Sequence, residues 1–245
     1  MQSLGDRMKT YERIETSARF MPGAPIYVRI DGRSFSKFTK KMAKPYDERM
    51  SKVMQDVTAF LVKETGACIG YTQSDEISLV FYQENIDSSV FFDYKKQKMV
   101  SVISGLTSAM FMKLALQVFP EYCADAVPCF DSRVFVLPNK TEAMNAVLWR
   151  VKDATKNSVS MAARSVFPHK ELQGRKQDEM IAMMLEKGLD WNSYPEYFKS
   201  GSFFKRVKYE NETGAIRSKI SQVAIDKPFM DLDHNERVSL IFSKE

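Results

Sequence analysis

The sequence predicts an α+β fold with a ferredoxin-like βαββαβ core, and three observations carry that prediction. Short, β-branched apolar runs stand at Pro25–Ile30, Ala67–Thr72, Ile77–Tyr82 and Val134–Leu137. Two long stretches with apolar residues three and four apart separate the first run from the second and the third from the fourth. Beyond the fourth run the pattern turns helical and closes on a second hairpin.

Each element has its own signals. A polar leader precedes Pro25–Ile30, which runs directly into the turn dipeptide Asp31-Gly32. Pro45 can open a helix, with Met50, Val53, Met54, Val57, Phe60 and Leu61 on one face and Gly66 as its cap. Only Gln73-Ser74-Asp75-Glu76 separates the second and third runs, which predicts an antiparallel hairpin. A long helix spans about Lys95 to Phe119 and stops before Pro120, and the fourth strand ends at Pro138-Asn139. Helices are predicted over Glu142–Ser165 and roughly Gln173–Lys187, then a hairpin of Phe203–Glu210 and Ala215–Ile225 around Glu212-Thr213-Gly214. The expected division is a core of residues 1–140 and an extension of residues 141–245, packed as one unit because no linker separates them.

Composition narrows the chemistry. A chain of 245 residues with 44% hydrophobic and 27% charged residues is that of an ordinary globular protein. No run approaches about 18 apolar residues and the N-terminus is polar, so no membrane partner and a cytoplasmic location are expected. Cys68, Cys123 and Cys129 form no CxxC, and His169 and His234 are the only histidines. A zinc site or a nucleophile–histidine hydrolase is therefore disfavoured, which leaves carboxylates, lysines and arginines to do the chemistry. The net charge of +5 permits a polyanionic partner without requiring one.

In the predicted topology strand one lies antiparallel beside strand three. Asp31 leaves the first strand where Asp75 and Glu76 enter the third, so the three acids meet at one edge of the sheet. Clustered acids raise each other's pKa unless a cation neutralises them, and oxygen-only ligands suit magnesium. Two such ions can activate an attacking oxygen and stabilise a leaving one. Gly32 would let its backbone approach an ion or phosphate. The bland alternative stays open from spacing alone, since Asp-Gly is a common turn and Ser-Asp-Glu can decorate a hairpin.

The following segment adds Gly32, Arg33, Ser34, Phe35 and Ser36, then Lys37, Lys40, Lys41 and Lys44. Small residues with free amides beside cations can hold a triphosphate, although a solvated basic loop looks the same. Neither GxxxxGK[ST] nor GxGxxG occurs. Lys199, Lys205 and Arg206, with Phe198, Phe203, Phe204 and Tyr209 nearby, are candidates to contact RNA. An amphipathic strand produces the same alternation. Trp149 and Trp191 are expected in the core.

At these residues the sequence resembles the tRNA(His) guanylyltransferase family, in its guanylyltransferase-like 3′–5′ polymerase branch. The resemblance is carried by RIDGRSFSKF (Arg29 to Phe38), AKPYD (Ala43 to Asp47), QSDEISLVF (Gln73 to Phe81), FDSRVFVLPN (Phe130 to Asn139) and WRVKDATKNS (Trp149 to Ser158). It covers most of residues 7–210 in the family's own order and spacing. What it implies is a polymerase-palm-like catalytic domain that adds nucleotides to the 5′ end of tRNA. ATP would activate a 5′-monophosphate, a GTP or other NTP would be added, and two Mg2+ ions would sit on Asp31, the Gly32 carbonyl and Asp75, with Glu76 alongside. Lys44 then matches a lysine of the activation step, Asp47 its neighbouring acid, Ser74 a triphosphate contact and Lys98 a phosphate-binding lysine. Arg150, Asp153 and Asn157 match polar positions that would place tRNA or nucleotide, and a homotetramer built as a dimer of dimers is implied.

Two departures bear on the substrate. Eukaryotic members carry HINN where this chain has Thr155-Lys156-Asn157-Ser158, and a histidine where it has Ser36. Both resemble the bacterial, archaeal and phage branch, which points to templated repair of 5′-truncated tRNA rather than untemplated guanylate addition. The rivals are another palm-fold enzyme such as a nucleotide cyclase, and a non-catalytic RNA-binding protein. Against the first stands the hairpin sequence SDE rather than GG[DE]EF.

Overall fold

A computed structural model of the chain describes residues 2–85, 87–88, 90–124 and 126–243. The leader contains helix α1 (Leu4–Thr16), capped by Ser3, with no buried residue. Strand β1 (Ile26–Gly32) follows, then a single turn of helix, α2 (Phe35–Phe38), and helix α3 (Glu48–Thr65). Asp47 caps α3 by accepting the Arg49 amide, and Gly66 ends it in the left-handed region at φ 70°. Strands β2 (Ile69–Gln73) and β3 (Glu76–Phe81) form the hairpin, closed by Ser74 at φ 50°.

Helix α4 (Lys96–Val118) leads through α5 (Pro120–Cys123) to strand β4 (Phe130–Val136). Among the described residues α4 is the one helix long and apolar enough to cross a membrane by length and composition. Here Met99, Ile103, Phe111 and Ala115 pack it into the core. β4 begins four residues before the strand read from the sequence, because Asp131 and Arg133 alternate with buried Phe130 and Ser132 on an edge strand. Asn139 caps the long helix α6 (Lys140–Val166). The predicted helix over 173–187 is α8 (Gln177–Glu186), which starts four residues later because Gly174, at φ 80°, breaks the chain after a separate short helix, α7 (His169–Leu172). Helix α9 (Glu196–Lys199), strands β5 (Ser202–Glu210) and β6 (Ile216–Gln222), and helix α10 (His234–Phe242) complete the chain.

The six strands form one antiparallel sheet in the order β4-β1-β3-β2-β5-β6. Its first four strands have the order expected of the βαββαβ core. The C-terminal hairpin extends the same sheet, with β5 pairing to β2 through Tyr71 and Phe203. Helices α3 and α4 cover one face, where Val28, Ile30, Ile77 and Leu79 meet Val53, Val57, Leu61 and Ile103. On the other face α6 and α10 cover Tyr27, Ile69, Tyr71 and Val80 with Val147, Val151 and Ile241. The C-terminal half of α6 continues beyond the sheet and packs Val159, Ala162 and Ala163 against Leu172, Met184 and Phe198. That overhang matters: it leaves space between α6 and the β2–β3 turn.

Candidate active site

The site forms where β1 ends beside the β2–β3 turn. Directly opposed residues of antiparallel strands share a face. The register therefore sets Asp131, Asp31, Glu76 and Gln73 in one row across four strands. Asp75 stands in the turn next to that row, and its carbonyl accepts the Gly32 amide at 3.1 Å. The strand order thus brings Asp31, Asp75 and Glu76 together from distant parts of the chain.

The acids differ in how they are compensated. Arg150, from α6, donates Nε to Glu76 Oε1 at 2.5 Å and Nη2 to Oε2 at 2.8 Å. Arg29 Nε lies 3.9 Å from Glu76 Oε2 and, buried, has no hydrogen-bond acceptor. Burial pushes the Glu76 carboxyl up, while these two arginines pull it down. Arg133 stands 3.6 Å from Asp131 and 4.0 Å from Asp31. Asp75 has no such partner: burial, then the Asp31 charge, raises its pKa, with the Ser74 hydroxyl at 3.2 Å and its own amide opposing.

Among the described residues no three Asp, Glu, His or Cys side chains converge as a finished cage for a metal ion. Glu76 is turned to Arg150, which leaves Asp31 and Asp75 as the carboxylates open to a cation. Magnesium commonly takes one or two carboxylates and completes its shell with waters and substrate phosphates. A half-buried acid raised by a neighbouring acid is the kind of group that a cation stabilises. The residues therefore fit a divalent ion on Asp31 and Asp75. Gly32 has a further reason to be glycine: a Cβ there would clash with the Phe35 ring.

A cleft of about 550 Å³ opens beside the turn, within the size range of small-molecule sites. The turn supplies Gln73, Ser74 and Asp75, and the loop after β1 supplies Phe35, Ser36, Lys44 and Asp47. The overhang of α6 adds Ser158, Met161, Arg164 and Ser165. Tyr46, Tyr197 and Phe198 form an aromatic wall, with Tyr46 stacked on Phe198 at 4.5 Å and edge-on to Tyr197 at 5.7 Å. A lining of cations, hydroxyls and aromatic rings together suits the phosphates and base of a nucleotide.

Other candidates take different places. Arg33 donates its amide to the Cys129 carbonyl at 2.9 Å, and Ser34 turns the chain at φ 59°; neither lines the cleft. Asp47 lines it but is already occupied, accepting from the Arg49 amide and guanidinium, whose hydrogen bond holds its carboxyl below the usual range. Lys44 is exposed, with its amine 3.3 Å from the Thr39 carbonyl. Ser108 and Ser104 of α4 bond to Phe130 and Ser132. Lys98 lies about 15 Å up the helix from Ser108, toward the opposite end of the sheet from Asp31. Its amine stands 5.5 Å over the Phe92 ring.

The candidate RNA contacts divide by burial. Arg150 is 7% exposed and Lys205 4% exposed, so the structure places both inside the fold rather than on an RNA-facing surface. Arg150 is held by Glu76 and Asp153, and the Lys205 amine by the Leu240 carbonyl and the Ser243 hydroxyl. Asp153 also accepts from Asn157 at 3.2 Å. Lys199 pairs with Glu196 at 2.9 Å and lies over Trp191, while Arg206 is exposed and bonds the Lys63 carbonyl and Ser218. Trp149, expected in the core, is 51% exposed.

Asp131, Arg133, Arg164 and Tyr46 escaped the sequence reading. The first two carried a signal, the alternation of FDSRVFV, that a strand beginning at Val134 left unused. Ser158, Met161 and Ser165 recur at three and four along α6, a face that the cleft explains.

Comparison with known proteins matches the sequence and the fold. A sequence model of the family described as tRNAHis guanylyltransferase matches residues 5–138. The tRNA(His) guanylyltransferase of Schizosaccharomyces pombe is 28% identical over 248 residues, spanning 96% of this chain and 91% of its own. A bacterial tRNA(His) guanylyltransferase-like protein solved in complex with ATP superposes with a TM-score of 0.85 at 31% identity, covering 98% of this chain and 99% of its own. A bacterial guanylyltransferase-like protein in complex with GTP gives a TM-score of 0.79 at 28% identity, covering 98% and 100%.

Proposed function

The chain belongs to the tRNAHis guanylyltransferase family of nucleotidyltransferases, and on that footing we propose that it adds nucleotides to the 5′ end of tRNA in the 3′–5′ direction. Templated repair of 5′-truncated tRNA is the favoured form of the reaction, with guanylate addition to tRNA(His) as its relative. The observation that carries the reading is that Asp75, whose neighbour Glu76 pairs with Asp31 across the strands, lines a nucleotide-sized cleft. Bacterial relatives solved in complex with ATP and with GTP support a nucleotide as substrate.

The reaction needs two displacements at phosphorus. An RNA 5′-phosphate oxygen attacks the α-phosphorus of ATP, pyrophosphate leaves, and the end carries an AMP cap. The 3′-hydroxyl of an incoming nucleotide then attacks the capped 5′-phosphorus, and AMP leaves. A 5′-triphosphate skips the first step and releases pyrophosphate in the second. Magnesium, held by Asp31 and Asp75, would neutralise phosphate charge and lower the pKa of an attacking hydroxyl.

This chain's residues do the rest. Lys44 and Arg164 bring positive charge to the cleft, where phosphoryl transfer is helped mainly by positioning and electrostatics. Ser36 and Ser74 offer hydroxyls to phosphate oxygens, and the Tyr46–Phe198 stack offers a face to a base. Arg150 acts at one remove, by holding Glu76 and with it the turn that carries Asp75. The cytoplasm is the proposed location and a homotetramer the proposed assembly. Helix α1 leaves Leu4, Met8, Tyr11 and Ile14 as an exposed apolar stripe at helical spacing that a second copy could cover.

The test uses ATP labelled at the α-phosphate and a tRNA carrying a 5′-monophosphate. Label on the RNA, lost in Asp75→Ala, supports the activation step. Unlabelled RNA, together with no extension of a 5′-triphosphorylated end, would remove the polymerase reading and favour a cyclase.

A further inference from the structure

Trp149 is unusual in this fold. Large aromatic side chains are normally buried to most of their area, yet it presents half of its surface to solvent on a long, well-packed helix. Arg150 lies 4.6 Å and Arg29 5.7 Å from its ring centroid, so two guanidiniums bear on the indole from within the fold. Arg29 is two residues before Asp31 on the sheet face that carries Asp31 and Glu76. Along α6 the exposed residues Lys152 and Lys156 follow at three and seven, while Asp153, at four on the same face, is held by Arg150 at 3.0 Å. Ser158, the first cleft residue of α6, lies about 14 Å away along the axis. The acids stand between the two, since Glu76 bonds Arg150.

From this placement we propose that Trp149 is a stacking platform for an unpaired base of the RNA substrate. The base lies on the open face of the indole and the phosphates on either side of it run toward Lys152 and Lys156. Its occupant is single-stranded RNA rather than a protein segment, because an exposed aromatic ring flanked by cations is complementary to a base on a polyanion, not to an apolar peptide. The cleft and Trp149 then divide the substrates: the triphosphate on one side of the acids, the RNA end on the other. This rests on the chain acting on RNA ends.

The chain has two tryptophans, so W191F leaves Trp149 as the single indole. Titrating that variant with an acceptor-stem hairpin bearing a single-stranded 3′ end should quench its fluorescence at the concentrations at which anisotropy reports binding. A blunt duplex of the same stem and a heparin control should quench little. In the otherwise unaltered chain W149A should weaken overhang RNA by about tenfold or more, W149F by much less, and ATP binding should change in neither. Unquenched fluorescence at saturating RNA, or W149A binding overhang RNA as wild type does, overturns the platform. So does equal weakening of overhang, blunt duplex and heparin by W149A, which would leave a general anion contact only. Quenching without any 5′ extension would instead keep the platform and sink the proposed reaction.

Discussion

Arg150 on α6 grips both carboxylate oxygens of Glu76 on β3, at 2.5 and 2.8 Å, across a separation of 74 residues. Both side chains are buried, and the pair ties the helix that roofs the cleft to the strand that begins next to Asp75. Removing Arg150 leaves buried Glu76 with only the more distant Arg29 charge, 3.9 Å away and not hydrogen-bonded to it. Arg150→Ala should therefore lose about 3 kcal/mol or more by chemical denaturation. Replacing both, as Glu76→Leu with Arg150→Met, should return much of that stability while extension stays impaired. Full activity in the stable double variant would show that the pair does not position the turn.

Asp75 makes a second, electrostatic prediction. Its pKa is raised in the fold, so the native state binds more protons than the unfolded chain above the ordinary carboxylate range. Stability from this group is then present at low pH and lost as pH rises through the raised value. At neutral pH without divalent ions, Asp75→Asn should melt above wild type, with the gap closing in acid. Magnesium should raise the wild-type melting temperature more than that of the variant. Equal melting curves, insensitive to magnesium, would contradict an ion site on Asp75.

Gly32 tests packing beside the site. A Cβ there would press on Phe35, which is 2% exposed and wedged among Phe38, Phe111 and Phe130. Gly32→Ala should cost about 1–3 kcal/mol by overpacking, and Phe35→Leu in the same chain should relieve part of it. An unchanged urea midpoint for the single variant would show that the ring moves freely.

The cleft's two cations should separate kinetically. Lys44→Ala should slow extension of a 5′-monophosphorylated RNA by about tenfold or more, yet spare a 5′-triphosphorylated one, if it serves activation. Arg164→Ala should raise KM for nucleotide with either end. Identical defects on both RNA ends for Lys44→Ala would assign it to general phosphate binding.

Much of the framework could be read before the structure, for a definite reason. Asp31 and Asp75 sit next to strong signals, a β-branched run and a four-residue hairpin connection, and antiparallel order alone brings their ends together. Asp131 was missed because the edge strand holding it is half polar, so only its last apolar residues stood out. α1 was missed because it packs nothing, although Ser3, Asp6 and the spacing Leu4-Met8-Tyr11-Ile14 mark a capped helix. Charge without burial misled the reading of Arg150 and Lys205, whose partners are distant in sequence. The same limit hid the exposure of Trp149, since an aromatic beside core positions of a helix reads as core.

The most direct measurement gives the enzyme a tRNA lacking its first 5′ nucleotide, with ATP, magnesium and each labelled NTP in turn, beside Asp75→Ala. The account predicts extension by the nucleotide complementary to the facing 3′ strand alone, and none in the variant. Extension by every nucleotide alike would contradict templated addition, and extension that survives Asp75→Ala would contradict the site.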